Sequence, residues 1–458
     1  MTFDFDLARR MSRPGPRYTS YPTAPHFHDG FGPDDYGAAL DRLRDEPDRP
    51  LSLYTHVLFC AKLCHYCGCH MRVTDRPEPV ERYRAYLERE LDLVAERVGE
   101  GQLVRQIHWG GGTPTTLGPA GIERLMAHTR RRFTVAADAE VGLEADPRTL
   151  TRAHLEAARR AGFNRLSFGV QSFDPVVQEA IGRVQPFEQV RQATEWARAL
   201  GFEGLSFDLI YGLPHQTPER FARTLDLAAS LEPDRLSVFG YAHVPWMKKH
   251  QRLIDAEALP DAEARLRLYA LAFDALTARG YRHVGMDHFA RPGDPLCQAQ
   301  DAGTLHRNFQ GYATHADCAL LGFGASAIGG FGRVYAQNEK GLAAYYAALD
   351  AGRLPVARGL RLSDEDVLRR HVITRLMCDF ALDKRAVEAR FGIDFDRHFA
   401  DALDALAALE AEGVVVLGPD RIVVPERGRP FVRNAAMAFD AYLDRAEATA
   451  APRYSQTV

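Results

Sequence analysis

The sequence lacks any long apolar segment and has little net charge. No apolar run reaches the roughly 18 residues of a membrane-spanning helix. The segment Met1–Arg10 carries Asp4, Asp6, Arg9 and Arg10 and has no apolar core of a signal peptide. The 57 Lys and Arg residues nearly balance the 61 Asp and Glu residues, whereas a nucleic-acid-binding domain is usually basic. We therefore expect a cytoplasmic protein that binds neither membranes nor nucleic acid.

The composition excludes a disordered chain. The sequence has 458 residues, of which 46% are hydrophobic and 10% aromatic, as in a well-cored globular protein. At about 150 residues per domain the chain has room for roughly three domains, but an α/β barrel alone takes about 250 residues. A large barrel with a smaller partner domain fits this length best.

The seven cysteines are unevenly distributed. Cys297, Cys318 and Cys378 are far apart and are interpreted as ordinary buried thiols. The other four fall within ten residues, at positions 60, 64, 67 and 69. In a reducing compartment, thiols clustered this densely indicate metal ligands or redox groups rather than structural disulfides.

Short apolar runs alternate with helical patterns between residues 51 and 241, which is the rhythm of βα units. One predicted helix, Pro79–Val98, has apolar residues at helical spacing and charged residues on its other face. Six parallel βα units form a complete or partial barrel, and its chemistry gathers at the carboxyl ends of the strands. The predicted strands are Leu51–Val57, Val104–Trp109, Glu140–Ala145, Asn164–Val170, Gly204–Ile210 and Arg235–Tyr241.

The remaining sequence predicts an arm, an insertion and a second domain. We expect an N-terminal arm at 1–49, an α/β barrel with a substrate-covering insertion at 50–335 and a mainly helical, winged-helix-like domain at 336–458. Acidic residues dominate the predicted helix Phe395–Glu412, which is unlike a DNA-recognition helix. The other predicted elements are the helix Asp261–Arg279, the strand Tyr281–Asp287, the irregular segment Arg291–Gly332, the helices Asp364–Met377, Lys384–Phe391 and Arg433–Ala446, and the hairpin Val414–Val424.

The cysteine spacing favours an iron–sulfur cluster. Cys60, Cys64 and Cys67 form a C-x3-C-x2-C loop directly after the first predicted strand. Three thiolates can hold a four-iron cluster and leave one iron open to a small molecule. Structural zinc is disfavoured because no second ligand pair follows downstream. A thioredoxin-type pair would leave Cys60 and Cys69 unexplained.

This loop resembles the motif of the radical S-adenosylmethionine (SAM) superfamily. Three further segments, Cys67-Gly-Cys69, Pro14–Pro22 and Leu305–Tyr312, resemble the oxygen-independent coproporphyrinogen III oxidase family within that superfamily. The resemblance extends from the arm to Asn338. It implies a partial (β/α)6 barrel, one [4Fe–4S] cluster and two SAM molecules. It also implies oxidative decarboxylation of the propionates on rings A and B of coproporphyrinogen III to vinyl groups, which yields protoporphyrinogen IX.

The resemblance also implies roles for individual residues. Taken alone, the glycine loop at 110–112 and the polar residues at the strand ends could be ordinary turns and caps. By resemblance, Cys60, Cys64 and Cys67 hold the cluster, and Cys69, His56, Phe309 and Gln310 are catalytic. The residues implied to bind SAM are Tyr54, Tyr66, Gly111, Gly112, Thr113, Glu144, Gln171, Arg183, Asp208, Ala242 and Ile328.

The substrate has four propionates, and guanidinium groups pair well with carboxylates. Candidate anchors lie in the arm and at strand ends, at Arg17, Arg165, Arg291 and Arg307. The family further implies a flavodoxin or ferredoxin as electron donor, and we expect a monomer. Four histidines (His283, His288, His306 and His315) and Cys297 match no metal-site spacing and are expected to be buried or pocket residues.

Two alternatives remain open at this point. A haem-binding chaperone of the same superfamily shares the barrel and the cysteine loop, but its motif usually lacks a counterpart of Cys69. A zinc-stabilised DNA-binding regulator that uses the C-terminal domain is the weaker alternative.

Overall fold

The computed structural model describes residues 3–443 and residue 457, and its centre is a sheet of twelve strands. Seven of these strands run parallel to their neighbours. In chain order they are β1 (Leu51–Val57), β2 (Leu103–Gly111), β3 (Thr134–Ala145), β4 (Arg165–Gln171), β5 (Gly204–Tyr211), β6 (Arg235–Gly240) and β7 (Ala319–Phe323).

The sheet is an open barrel with extended edges. Strands β1 to β6 follow one another, and β7 returns to pair with the free side of β1. Beyond β7 lie Ile328–Phe331, Val334–Asn338 and Val356–Arg361, and beyond β6 lie His288–Ala290 and Arg282–Gly285, all antiparallel. The predicted α/β partial barrel is therefore confirmed, and all six predicted strands are present.

Helices connect the parallel strands. The helix that follows β5, for example, starts with Thr217, whose hydroxyl accepts the backbone N–H of Arg220, and has Pro218 at its first position. Within residues 3–443, no helix is long and apolar enough to cross a membrane. The helices are Phe5–Met11, Pro33–Arg44, Pro77–Val98, Gly118–Arg132, Arg152–Ala161, Pro175–Ala180, Phe187–Ala199, Pro218–Ser230, Ala262–Ala278, Pro295–Asp301, Leu342–Asp350, Asp364–Asp379, Lys384–Phe391, Phe395–His398, Ala400–Ala411 and Val432–Met437.

The interior of the barrel is polar, whereas its outer layer is apolar. A hydrogen-bonded chain crosses the interior from Ser52 to Gln106 (3.1 Å) and from Gln106 to Glu140 (3.1 Å). Glu140 also pairs with Arg165 and Arg235, at 3.0 and 3.2 Å. Because side chains alternate along a strand, the apolar residues between these positions face the opposite side. The strands thus have one polar face towards the barrel interior and one apolar face towards the helices.

The region predicted to be an irregular insertion contains ordered elements. It includes the helix Pro295–Asp301, a small hairpin (His306–Asn308 with Gly311–Ala313) and β7. The helix has an N-terminal signal that the prediction overlooked, because Asp294 accepts the N–H of Leu296 and precedes Pro295. The predicted strand Tyr281–Asp287 is instead the first half of a hairpin that turns at Met286, whose φ is +47°.

The C-terminal region is mainly helical with a small three-stranded sheet. The predicted helix Phe395–Glu412 is wrong as one element, because Phe399 (φ −111°, ψ 28°) interrupts it while its ring packs on Phe395 and Phe439. The final helix is Val432–Met437, shorter than the predicted Arg433–Ala446, and positions 444–446 lie outside the described residues. The small sheet consists of Ala381–Asp383, Val416–Leu417 and Arg421–Val423.

One of the predicted domain boundaries falls inside a strand of the central sheet. The division between 335 and 336 falls inside the strand Val334–Asn338, and one further sheet strand follows at Val356–Arg361. The predicted arm 1–49 contains two helices, Phe5–Met11 and Pro33–Arg44.

Candidate active site

The four clustered cysteines lie at the carboxyl ends of the parallel strands. Cys60 ends the short strand Phe59–Cys60, which continues from β1. Cys64 is buried, Cys67 and Cys60 are half-buried and Cys69 is exposed. All four line a cavity of about 540 Å³, here called the cluster cavity. Residues at the carboxyl ends of β2, β3, β4, β5 and β6 form its other walls.

Two arginines and one aspartate fix the sulfur of Cys64. Arg148 donates to this sulfur at 3.1 Å and Arg183 at 3.4 Å. Both guanidinium groups also pair with Asp146, at 2.6 and 3.1 Å. Burial opposes ionisation of Asp146, but Arg183 and Arg148 hold the pKa of its carboxyl below the usual value. Hydrogen bonds of this kind orient the side chain of a potential metal ligand.

The thiols differ in their acidity. A hydrogen bond from Cys69 lowers the pKa of Cys67 to about 6, whereas burial raises the pKa of Cys60 to about 11. In residues 3–443 no three His, Cys, Asp or Glu side chains are arranged to hold a single metal ion. A four-iron cluster takes one thiolate on each of several irons. Three cysteines of one loop that line one cavity supply a donor set that fits such a cluster.

The glycine loop at 110–112, at the end of β2, packs directly against the segment that leads into the cysteine loop. A Cβ atom at Gly110 would lie 2.6 Å from Glu144, and one at Gly111 would lie 2.6 Å from the ring of His56. At Gly112 a Cβ atom would meet the backbone of Leu58 at 2.7 Å. Gly111 also has a φ of +114°, which favours glycine. Glycine is therefore required here by close approach as well as by conformation.

The loop is joined to the cysteine loop by hydrogen bonds. The backbone N–H of Gly112 donates to Val57 and that of Thr113 to Phe59, at 2.9 and 2.8 Å. The hydroxyl of Thr113 lies 3.5 Å from the sulfur of Cys60. Gly111, Gly112 and Thr113 all line the cluster cavity, so the loop anchors the cysteine segment and also forms a wall of the cavity.

Glu144 on β3 belongs to a group of contacting polar side chains from β1, β2 and β3. The carboxylate of Glu144 accepts hydrogen bonds from His108 and from the N–H of Gly111, both at 3.1 Å. Burial opposes its ionisation, but these donors keep its pKa below the usual value. Tyr54 stacks on His108 and lies 3.1 Å from His56 Nδ1. Tyr54 and His56 thus lie behind Glu144, outside the lining of the cavity.

Asp208 and Gln171 face Glu144 across the cavity. Burial, with Glu144 nearby, raises the pKa of Asp208 to about 7. Its carboxylate lies 3.4 Å from the hydroxyl of Ser167. Gln171 ends β4 with a φ of +67°, an uncommon conformation for a residue other than glycine. Together with Arg183 and Ala242 these residues surround space for a polar ligand.

The structure brings most of the predicted SAM ligands together. The residues of that prediction that line the cluster cavity are Tyr66, Gly111, Gly112, Thr113, Glu144, Gln171, Arg183, Asp208 and Ala242. Ile328 and Phe309 instead pack in an apolar cluster with Phe27 and Tyr335. Gln310 follows in the hairpin turn, and its buried Oε1 has no hydrogen-bond partner among the described residues.

The four candidate propionate anchors have different surroundings. Arg165 is held by Glu140 and Asp294. The side chain of Arg291 is 44% exposed, and its guanidinium group lies over the ring of Tyr281. These two arginines line neither the cluster cavity nor the second large cavity that is described below. Arg17 and Arg307 lie together on the arm and on the hairpin, where Arg307 Nε donates to the backbone carbonyl of Arg17.

Of the additional histidines, His283 is buried, whereas His288 and His306 are half-buried. Burial lowers the pKa of His283 to about 4, that of His288 to about 3 and that of His306 to about 4. Cys297 is fully buried. His315 is half-buried and lines the second large cavity described below.

Several residues of the site were not predicted from sequence. Asp146 and Arg148 directly follow β3, so the rule that chemistry gathers at strand ends could have found them. Lys248, His250 and Gln251 hydrogen-bond the backbone carbonyls of Cys69, Cys67 and Tyr66 at 2.7 to 2.8 Å. They come from a loop about 180 residues away in sequence, for which no local pattern gives a signal.

Comparisons with known proteins agree with this architecture. The profile of the radical SAM superfamily matches residues 54–228, and that of the HemN C-terminal domain matches residues 362–431. Curated relatives include the oxygen-independent coproporphyrinogen III oxidases of Pseudomonas aeruginosa (45% identical, 96% of both chains), Bradyrhizobium diazoefficiens (47%, 94% of this chain and 95% of the relative) and Escherichia coli (46%, 96% of both).

A solved structure agrees over the whole length. The structure of coproporphyrinogen III oxidase (HemN) from Escherichia coli, described as a radical SAM enzyme, superposes with a TM-score of 0.92 at 45% identity and covers 97% of this chain and 100% of its own. Radical SAM enzymes use a [4Fe–4S] cluster and SAM, and the cysteine loop and the polar residues at the strand ends fit both groups. The chain therefore belongs to the oxygen-independent coproporphyrinogen III oxidase family of radical SAM enzymes.

Proposed function

We propose that this enzyme oxidatively decarboxylates the propionates on rings A and B of coproporphyrinogen III to vinyl groups and so forms protoporphyrinogen IX. The observation that carries the proposal is the cluster cavity itself. It combines the three cysteines of the C-x3-C-x2-C loop with Glu144 and Asp208 at the ends of β3 and β5. It does so in a chain that matches oxidases of this name over 94–96% of its length.

Cys60, Cys64 and Cys67 would hold the cluster. When bound, the cluster and SAM supply a 5′-deoxyadenosyl radical, which removes one hydrogen atom from the propionate β-carbon. Arg148 and Arg183 donate hydrogen bonds to the sulfur of Cys64 and so keep it in a fixed orientation. Asp146 keeps both guanidinium groups in place. Lys248 and His250 hold the backbone of the cysteine loop from the opposite side.

The polar residues of the cavity would orient SAM. Glu144 is ionised and its carboxylate is oriented by His108 and Gly111, so it can accept hydrogen bonds from ribose hydroxyls or an ammonium group. Asp208, with a pKa of about 7, can present either a donor or an acceptor near neutral pH. The family implies two SAM molecules, and the polar residues that would bind them lie on several sides of the cavity.

Each decarboxylation balances as the loss of one hydrogen atom, one carbon dioxide and one electron from a propionate. The hydrogen atom goes to the deoxyadenosyl group, and the electron goes to a one-electron acceptor. Reduction of the cluster requires a separate low-potential donor such as a flavodoxin or a ferredoxin. Cys69 at the cavity wall, His56 behind Glu144, and Phe309 and Gln310 in the hairpin are proposed to act in this reaction.

The deciding experiment is an anaerobic assay with coproporphyrinogen III, SAM and a reductant. We expect 5′-deoxyadenosine and protoporphyrinogen IX from the reconstituted protein and neither product from the Cys64→Ala variant. Deoxyadenosine without a vinyl product from the native protein would refute this substrate. Stable haem binding without decarboxylation would instead support the haem-chaperone alternative, against which Cys69 is the main argument.

A further inference from the structure

A second cavity, of about 410 Å³, is lined by basic side chains. The arm (Tyr18–Tyr21), the segment Gly303–Phe309 and the helix Asp364–Asp379 contribute to its walls. Its described lining contains five arginines and three histidines but no aspartate or glutamate: Arg49, Arg307, Arg370, Arg375, Arg390, His306, His315 and His371. We call it the basic cavity.

Arg307 shows that this positive charge is not fully neutralised from within the protein. The residue is only 5% exposed, and its Nη1 has no hydrogen-bond partner among the described residues. The nearby carboxylate of Asp287 is already paired with Arg17. Burial lowers the pKa of Arg307, and that of Arg433, which contacts the same part of the arm, falls to about 10. A buried cation with an unused donor is costly unless an anion completes the site.

Two histidines of the basic cavity also indicate an excess of positive charge. Burial lowers the pKa of His371 to about 4, and the neighbouring Arg390, Arg375 and Arg370 lower it further. His306 reaches about 4 for the same reasons, with Arg375 and Arg370 as its charged neighbours. No carboxylate counteracts either shift. His306 and His371 are therefore neutral near pH 7, so the positive charge of this cavity comes from its guanidinium groups.

Both the basic cavity and the cluster cavity have residues of β2 in their linings. Gln106 on β2 lines the basic cavity, and Gly111, five residues further along the same strand, lines the cluster cavity. At about 3.3 Å per residue this places the two positions about 16 Å apart. A wide ring system with carboxylates on opposite sides would have to span about this distance to reach both cavities.

We propose that the basic cavity is the site that holds the two propionates which do not react, those on rings C and D of the tetrapyrrole, with Arg307 and Arg370 as the anchoring guanidinium groups. This inference rests on the proposed function. Carboxylates match the fork geometry of arginine, and a cavity without acidic side chains discriminates in favour of such anions. Anchoring at one end would present the propionate at the other end to the cluster cavity.

Porphyrin binding tests the assignment without turnover. The probes are coproporphyrin III, which has four propionates, and mesoporphyrin IX, which keeps only those of rings C and D. Equilibrium titrations by fluorescence quenching are made with the cluster-loaded native protein and with the variants Arg307→Gln and Arg370→Gln. Arg291→Gln is the control, because this arginine is exposed and lines neither large cavity.

We expect Arg307→Gln and Arg370→Gln each to weaken the binding of both porphyrins by about tenfold or more. This is the loss of affinity expected when a charge-assisted hydrogen bond is removed. The control should change neither affinity by more than about twofold. Unchanged mesoporphyrin binding in both variants would overturn the assignment. A loss confined to coproporphyrin would also overturn it, because it would place the reacting propionates in the basic cavity.

Two checks separate the possible failures. Iron content and the circular dichroism spectrum of each variant must equal those of the native protein; should Arg307→Gln fail to fold, the half-exposed Arg370 still decides the question. Turnover of coproporphyrinogen III by the native protein is measured separately. Porphyrin binding that responds to the variants, without any vinyl product, would refute the proposed function and leave the carboxylate site supported.

Discussion

The cluster cavity and the basic cavity differ in whether their buried arginines are paired with carboxylates of the protein. In the cluster cavity both Arg148 and Arg183 are paired with Asp146, so each of these buried guanidinium groups has a carboxylate partner. In the basic cavity Arg307 keeps an unused donor and the described lining has no acidic group. A closed network of this kind fixes the position of a loop, whereas a surplus of one sign leaves a place for a ligand of the other sign.

The largest expected effect lies in the cluster cavity, where individual thiols have no substitute. Replacing Cys60, Cys64 or Cys67 by Ala should remove the four-iron signal after anaerobic reconstitution and abolish SAM cleavage, because each of the proposed thiolate ligands would bind a different iron. Cys69→Ala is the matched control, since it should keep the full iron and sulfide content and lose only turnover. A full cluster in any of the three variants, or an active Cys69→Ala protein, would contradict these assignments.

The cysteine loop and the strand pattern show what local sequence can predict. All six predicted strands are present, because each is a compact apolar run between polar loops, and a strand-end rule then places Glu144, Gln171 and Asp208 at one edge. β7 was missed even though Ala-Leu-Leu-Gly-Phe is an apolar run, since a helix and a small hairpin separate it from β6 and its partner β1 lies more than 250 residues earlier.

The basic cavity shows what local sequence cannot predict. Its arginines come from residues 49 to 390, and only the packing of the arm and of the helix Asp364–Asp379 on the hairpin brings them together. Among the four anchors chosen from sequence, Arg165 turned out to be held by Glu140 and Asp294. Whether a guanidinium is already paired depends on carboxylates distant in sequence, and this information is absent from the local pattern.

A smaller effect is expected when the closed network of the cluster cavity is opened. Asp146→Asn would leave Arg148 and Arg183 buried without their carboxylate, so the free energy of unfolding should fall by about 3 to 5 kcal/mol. The matched control is Asp41→Asn, whose pair with Arg97 is exposed and should contribute less than about 1 kcal/mol. Both are measured by urea denaturation of the cluster-free protein. Equal losses in the two variants would mean that Asp146 does not fix the loop.

The smallest expected effect is the loss of a cation from the basic cavity. Arg307→Gln should change the free energy of unfolding by less than about 1 kcal/mol, measured in the same urea experiment. The variant loses the hydrogen bond to the carbonyl of Arg17 and the contact of the guanidinium with Tyr312 at 4.8 Å. It also relieves the burial of a charge beside Arg17 and Arg433, which opposes that loss. A destabilisation as large as that of Asp146→Asn would make Arg307 a structural ion, and the contrast between the two cavities would not hold.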